Sequence, residues 1–276
     1  MSPIKFGVGQ ALTRKEDDAL LRGTGCYVGD HALVGALHAV VVRSPHAHAR
    51  FRITDVERVR AMAGVALVLT GADTQHLGYL PCQAEIPDTK IAVPPYLVLA
   101  LEEVRHVGDA MAFVVADTLD RARDAAEAIA IHWEALPPAI GAAAALESGA
   151  PLVWPKQHSN LAFETTLGDR QASERAFAQA KHTVVLTVVN QRIVTNYLDT
   201  RAVIAEYDAP SGRLSLTLGS QGSHAVRDIL CTVLKIAPQK MRVVTPDVGG
   251  GSGTKLFAYR EYALAAIAAQ KLGRPV

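Results

Sequence analysis

Val243-Val244-Thr245-Pro246-Asp247-Val248-Gly249-Gly250-Gly251-Ser252-Gly253-Thr254-Lys255 is the stretch whose reading decides the fold. A β-branched run enters it, Pro246-Asp247 turns it, and glycine at 249, 250, 251 and 253 leaves the backbone almost bare. Such glycine density costs conformational entropy and suits a chain that must adopt left-handed φ or bring bare N–H groups close to a ligand. A helical pattern follows from Leu256, and amides between a strand and a helix hold anions well. Two nucleotide motifs fail on spacing. A phosphate loop starting at Gly249 needs Gly at 254 and a hydroxyl residue at 256, where Thr254 and Leu256 stand. A dinucleotide fingerprint needs Gly at 254 or 256, depending on the frame. On the glycines alone, a tight turn without a ligand remains the alternative.

Working outward, the 276 residues can bury a sizeable core and suggest two domains. Hydrophobic residues at 49% and charged residues at 20% are ordinary for a globular chain. A net charge of +1 gives no electrostatic case for nucleic acid or an anionic membrane. No apolar run reaches bilayer length, and Met1 to Gln10 lacks an apolar signal core, so a cytoplasmic protein is expected. Cys26, Cys82 and Cys231 are too few and too scattered for a disulfide framework, a zinc site or an iron–sulfur cluster, and read as buried thiols.

In chain order, residues 8–30 read as a polar arm with a helical turn near Arg14 to Leu21. Strand character follows at Gly35 to Val42. His46 and His48 lie two apart, but without a third ligand they read as part of a turn rather than a metal site. A helix from Asp55 to Met62 and a strand from Val65 to Thr70 precede a long loop over 74–95. Tyr96 to Ala116 predicts two strands, Leu119 to Ile129 an amphipathic helix, and Ile129 to Glu134 a closing strand. The Pro- and Ala-rich piece from Leu136 to Asp169 reads as a linker, with a domain boundary near residue 150. Beyond it, a helix at Ala172 to Gln179 and strands at Thr183 to Asn190, Arg201 to Tyr207 and Arg213 to Leu218 are expected. A helix capped by Ser223 and a strand at Met241 to Thr245 then lead into the glycine loop, and a helix from Leu256 to Leu272 follows it.

Asp247-Val-Gly-Gly-Gly-Ser-Gly-Thr-Lys255 resembles the Asp-Val-Gly-Gly-Gly-Phe-Gly-x-Lys motif of the molybdopterin-binding large subunits of the xanthine dehydrogenase/aldehyde oxidase family, which includes the aerobic carbon monoxide dehydrogenases. Three other stretches carry the same resemblance. Leu-Leu-x-Gly-x-Gly-x-Tyr-x-x-Asp at 20–30 looks like the entry sequence of those subunits. Arg43-Ser-Pro-His-Ala-His-Ala49 is similar to their α/β hammerhead domain, and Ser220-Gln221-Gly222-Ser223-His224-x-Val226-Arg227 to their Thr-Gln-x-Pro-His-x-Val-Arg.

The resemblance implies an α+β fold, with a lead-in arm and hammerhead domain over 1–150 and the start of a molybdopterin-binding domain over 151–276. It implies a molybdopterin cofactor, in its plain or cytosine dinucleotide form, held by Gln221 and by the backbone of Gly250, Gly251, Ser252 and Gly253. Asp199 and Arg201 stand in substrate-side positions, and His224 at a helix start reads as capping or packing. Ser252 replaces the family's Phe, and Leu256 replaces the Glu of purine-oxidising members, which argues against a purine substrate. No catalytic residue and no direct metal ligand is expected in this chain. The general-base Glu and the remaining cofactor loops lie in the family's further sequence. Expected partners are that C-terminal remainder, an iron–sulfur subunit, a flavin subunit carrying FAD, and a small-molecule substrate. The implied activity is oxidative hydroxylation of an aldehyde or heteroaromatic compound, dormant in the chain alone. A non-catalytic assembly module from a split or truncated gene is the alternative.

Overall fold

The computed structural model describes residue 9 and residues 11–276. The reading of Met1 to Gln10 as lacking a signal core therefore lies almost entirely outside the described residues. The fold is α+β, as expected. The arm contains helix α1 (Asp17–Leu21) and a 3-10 turn at Val28–Asp30. Strands β1 (His38–Arg43) and β2 (Ala49–Thr54) follow, then α2 (Val56–Arg60), β3 (Val65–Thr70) and α3 (Gly71–Thr74). After a long loop come β4 (Glu103–Val104), β5 (Ala110–Ala116), α4 (Leu119–Glu127) and β6 (Ala130–Ala135).

These strands make two three-stranded antiparallel sheets, β1-β5-β3 and β4-β2-β6. β5, Ala-Met-Ala-Phe-Val-Val-Ala, is buried along its whole length, so both faces of the central strand are covered. That is why it reads as an unbroken apolar run; burying each of Phe113, Val114 and Val115 is worth about 1.5–3 kcal/mol. α4 buries Ala122 and Ala125 beneath a Thr118 cap, whereas Leu119 at its start is 38% exposed. Tyr96 to Glu102 forms no strand. The Pro137 carbonyl accepts from His48 Nδ1 and the Glu103 carboxylate lies against His48 Nε2, both at 2.8 Å, while His46 packs on Trp133 with ring centres 4.6 Å apart. Both side chains are thus engaged within the hammerhead half, and the described residues contain no His/Cys/Asp/Glu group arranged for a metal.

The second half contains α5 (Arg170–Gln179), β7 (Val203–Asp208), β8 (Arg213–Leu218), α6 (Ser223–Leu234), β9 (Met241–Val244) and α7 (Arg260–Leu272). β7 and β8 form a hairpin whose turn is tied by the Asp208 carboxylate to the Ser211 N–H at 3.2 Å. β8, α6 and β9 form a parallel crossover. The N-cap of α6 is Gly222 rather than Ser223. α7 begins at Arg260, because 254–256 winds as a 3-10 turn.

The strand expected at Thr183 to Asn190 is absent: the segment has no regular secondary structure and no partner strand among the described residues. Its β-branched composition favours a ladder, and propensity without a partner strand does not make one. Cys231 is buried as expected, whereas Cys26 and Cys82 are exposed.

One apolar cluster joins the two halves, running from Leu37, Leu69 and Phe113 to Leu216, Leu230 and Leu264. Arg260 at the start of α7 ion-pairs with Asp109 at 2.5 Å, both side chains being 10% exposed or less. The Leu37 N–H donates to the Pro275 carbonyl at 2.8 Å, and the Gly78 N–H to Val233 at 2.8 Å. Among the described residues, no helix is long and apolar enough to cross a membrane.

Candidate functional site

The glycine loop emerges from β9, whose parallel pairing to β8 sets two loops side by side: Gly219 to Gly222 after β8 and Pro246 to Gly253 after β9. Parallel strands bring their C-terminal ends to one edge, where ligands bind in open α/β sheets. The Ser220 and Thr245 hydroxyls lie 2.7 Å apart and join the two loops at their base. Gln221 donates its backbone N–H to the Lys255 carbonyl at 2.9 Å.

The glycines serve different ends. Gly250 and Gly253 have φ of +96° and +85°, and Ser252 also turns left-handed at +44°. A Cβ at 249 would come within 2.4 Å of the Asp199 Cβ, and one at 250 within 2.9 Å of the Tyr197 Cβ. Gly251 has ordinary φ, but a Cβ there would lie 2.7 Å from the Gln221 side-chain oxygen. The bare backbone at 251 is what lets Gln221 lie across the loop.

Lys255 is the hub beneath this arrangement. Its side chain is fully buried, and its ammonium donates to the Asp199 carboxylate and to the Asp199 carbonyl, each at 2.6 Å. It also lies 4.7 Å from the centre of the Tyr197 ring. The Asp199 oxygen bound to Lys255 further accepts the Gly249 N–H at 3.0 Å. The Thr254 hydroxyl meets the Gly251 carbonyl at 2.8 Å and the Tyr197 hydroxyl at 3.1 Å. Tyr259 donates to the Thr254 carbonyl. On the other side, Asp247 accepts the Cys26 N–H at 2.7 Å and returns its own N–H to the Cys26 carbonyl at 3.1 Å. The arm and residues 197–201 therefore both brace the loop.

Among the described residues, the N–H groups of Gly250, Gly251, Ser252 and Gly253 meet no acceptor, and the Gln221 side-chain amide meets no partner. Gly251 is buried, and a buried N–H left unmatched is costly. Gly250, Ser252 and Gly253 are exposed, so their N–H groups are open to solvent or to an oxygen-rich ligand. The five residues singled out from the sequence, Gln221 and 250–253, come together here. Asp199 lies beneath the loop with one carboxylate oxygen spent on Lys255 and Gly249. Arg201 stacks on the Tyr259 ring at 3.6 Å and lines a cleft of about 380 Å³ with Tyr197, Thr200 and Thr254. Burial pushes the Tyr259 phenol up, against the pull of Arg201, so it stays a hydrogen-bond donor near neutrality. His224 is exposed in the first turn of α6.

Sequence reasoning missed Lys255 and Tyr197. A lysine after a glycine loop reads as a solvated charge, and the acid that buries it lies 56 residues upstream. The available signal was the coincidence of Asp199 with a lysine inside a ligand-type loop.

Residues 153–276 match a family model described as a molybdopterin cofactor-binding domain, and residues 22–137 match one described as the aldehyde oxidase and xanthine dehydrogenase α/β hammerhead domain. Among curated proteins, the carbon monoxide dehydrogenase large chain of Hydrogenophaga pseudoflava is 34% identical over 284 residues, spanning 98% of this chain and 34% of that one. The nicotine 6-hydroxylase large subunit of Paenarthrobacter nicotinovorans is 31% identical over 98% of this chain and 33% of its own length. The crystal structure of quinoline 2-oxidoreductase from Pseudomonas putida 86 superposes with a TM-score of 0.86 at 33% identity, covering 97% of this chain and 34% of that one. This chain thus spans about a third of the length of these relatives.

Proposed function

Since this chain belongs to the xanthine dehydrogenase/aldehyde oxidase family and carries its hammerhead and molybdopterin-binding domains, we propose that it is one part of a molybdenum hydroxylase large subunit. In this reading the loop 250–253 and Gln221 hold the cofactor, and residues 1–150 and 151–276 are the two domains. The observation that carries it is the close approach of the Gln221 side chain to the bare Cα of Gly251, in a loop whose N–H groups at 250–253 meet no acceptor among the described residues. These residues fit the group: a pyranopterin with dithiolene and phosphate, bearing a metal with oxygen ligands, offers many acceptors and needs close backbone approach.

When bound, the cofactor supplies a centre able to take two electrons from a substrate carbon. The chain's own share is positioning. Lys255 and Asp199 hold the loop from below, so that the amides at 250–253 are fixed before a ligand arrives, which is how preorganised dipoles favour developing charge. The Gln221 side-chain amide would donate to an acceptor on the bound cofactor. Arg201 and Tyr259 border the cleft beside the loop, where Asp199 and Arg201 would face the substrate side.

The relatives named above act on carbon monoxide, nicotine and quinoline by their names. We assign this chain an aldehyde or heteroaromatic substrate other than a purine, because Leu256 stands exposed where a purine-binding acid would stand. Electrons would leave through iron–sulfur and FAD subunits, with the rest of the large subunit supplied as a further stretch of polypeptide.

The test is molybdenum per chain, together with turnover, in the assembled complex. Gln221→Ala should keep molybdenum and lower turnover by about 10². Retained turnover in that variant would overturn the assignment. A complex that assembles without molybdenum would instead support a non-catalytic assembly module.

A further inference from the structure

From residue 161 to residue 194 every residue is exposed, although this stretch falls inside the matched cofactor-binding domain. Within it, Val184, Val185, Leu186, Val188 and Val189 are between 70% and 94% exposed, and Ile193 and Val194 about as much. α5, just upstream, buries nothing and leaves Phe177 68% exposed. Scattered exposed apolar residues are normal, but a contiguous uncharged run is not.

Thr183-Val184-Val185-Leu186-Thr187-Val188-Val189-Asn190 has no regular secondary structure and no backbone hydrogen-bond partner among the described residues. It is apolar at odd and even positions alike. Side chains alternate across a strand, so this composition suits a strand covered on both faces rather than one lying on the surface.

We propose that residues 183–190 form a docking strand for a polypeptide equivalent to the two thirds of the family's large subunit that this chain does not match. The proposal rests on the reading of the chain as part of such a subunit. Relatives matched over 98% of this chain devote only 34% of their length to it, so a polypeptide of the size needed to cover the stretch exists in the family. The partner must offer an open β-edge with apolar groups on both sides. The strand leads directly to Tyr197 and Asp199, which hold Lys255 and Gly249, so docking would also steady the support of the glycine loop.

The experiment co-expresses this chain with the part of the Hydrogenophaga pseudoflava carbon monoxide dehydrogenase large chain that it does not match. The readouts are co-purification, amide hydrogen exchange and molybdenum content. The wild-type chain should co-purify, and amides 183–190 should slow by at least ~10² relative to the chain alone, as expected for ladder hydrogen bonds. Val185→Asp/Val188→Asp should abolish co-purification yet leave the melting temperature of the isolated chain unchanged, since neither side chain is packed within it. The absence of a complex, or a complex in which amides 183–190 exchange at the free rate, overturns the proposal. Concentration-dependent protection in the chain alone, with a dimer in sedimentation, also overturns it and assigns the strand to a second copy. Protection without molybdenum sinks the cofactor reading and leaves the docking strand standing; molybdenum without protection does the reverse.

Discussion

Replacing Lys255 by methionine isolates the hub beneath the glycine loop. Methionine matches the lysine stem in length and keeps its packing but removes the ammonium. The Lys255 side chain is 0% exposed and that of Asp199 16%, so the pair is a buried one. Without the ammonium, the Asp199 oxygen keeps only the Gly249 N–H at 3.0 Å. Removing one member of a buried pair costs about 3–5 kcal/mol, and the residual solvent contact of Asp199 sets the expectation near ~3 kcal/mol. Lys255→Met/Asp199→Asn removes both charges while leaving an oxygen for Gly249, and should cost only ~1 kcal/mol. Because the cost of Asp199→Asn alone adds to the difference between ~3 and ~1, the coupling is at least ~2 kcal/mol, well outside the additivity of independent sites. Urea unfolding of the isolated chain, followed by circular dichroism for wild type, both single variants and the double, measures it. A single-variant cost below ~1 kcal/mol, or a double variant equal to the sum of the singles, would refute the hub.

The glycines should separate by mechanism. Gly250→Ala, at φ +96° and against the Tyr197 Cβ, should cost about 1–3 kcal/mol of stability. Gly251→Ala displaces the end of an exposed glutamine, so thermal melting should change by less than ~1 kcal/mol while molybdenum content falls. Gly71→Ala places a Cβ 2.4 Å from the Ala100 carbonyl oxygen, a backbone atom that cannot swing away, and should cost about 1–3 kcal/mol in the same urea assay. Burial holds the His106 imidazole below its ordinary value, more strongly than Asp109 raises it. The unfolded chain therefore binds the proton first, so stability present above an ordinary imidazole pKa of about 6.5 is lost as pH falls through the folded value. His106→Asn should flatten that acid limb in denaturation midpoints measured from pH 8 to 5, and an unchanged slope would count against it.

The sequence made legible the elements in which local pattern and tertiary context agree. β3 and β8 lie at the predicted residues because alternation and turn chemistry both bound them. The glycine loop was legible because four glycines have few uses. Thr183 to Asn190 misled because β-propensity reports what a segment could pair with, and no strand among the described residues pairs with it. Tyr96 to Glu102 misled for a related reason: Val98 and Leu99 are buried by packing, without a ladder. The hub was hidden because a fully buried lysine is recognisable only from its acid, and Asp199 meets it only after β7, β8 and β9 have brought residues 199 and 255 together.

The most direct measurement is the molybdenum anomalous signal in crystals of the assembled large subunit. One peak per chain is expected beside the loop 249–253, with the Gln221 side-chain amide within about 3 Å of an oxygen ligand of the metal. A peak remote from Gln221 and the glycine loop, or full occupancy with Gln221 turned away to solvent, would contradict this placement.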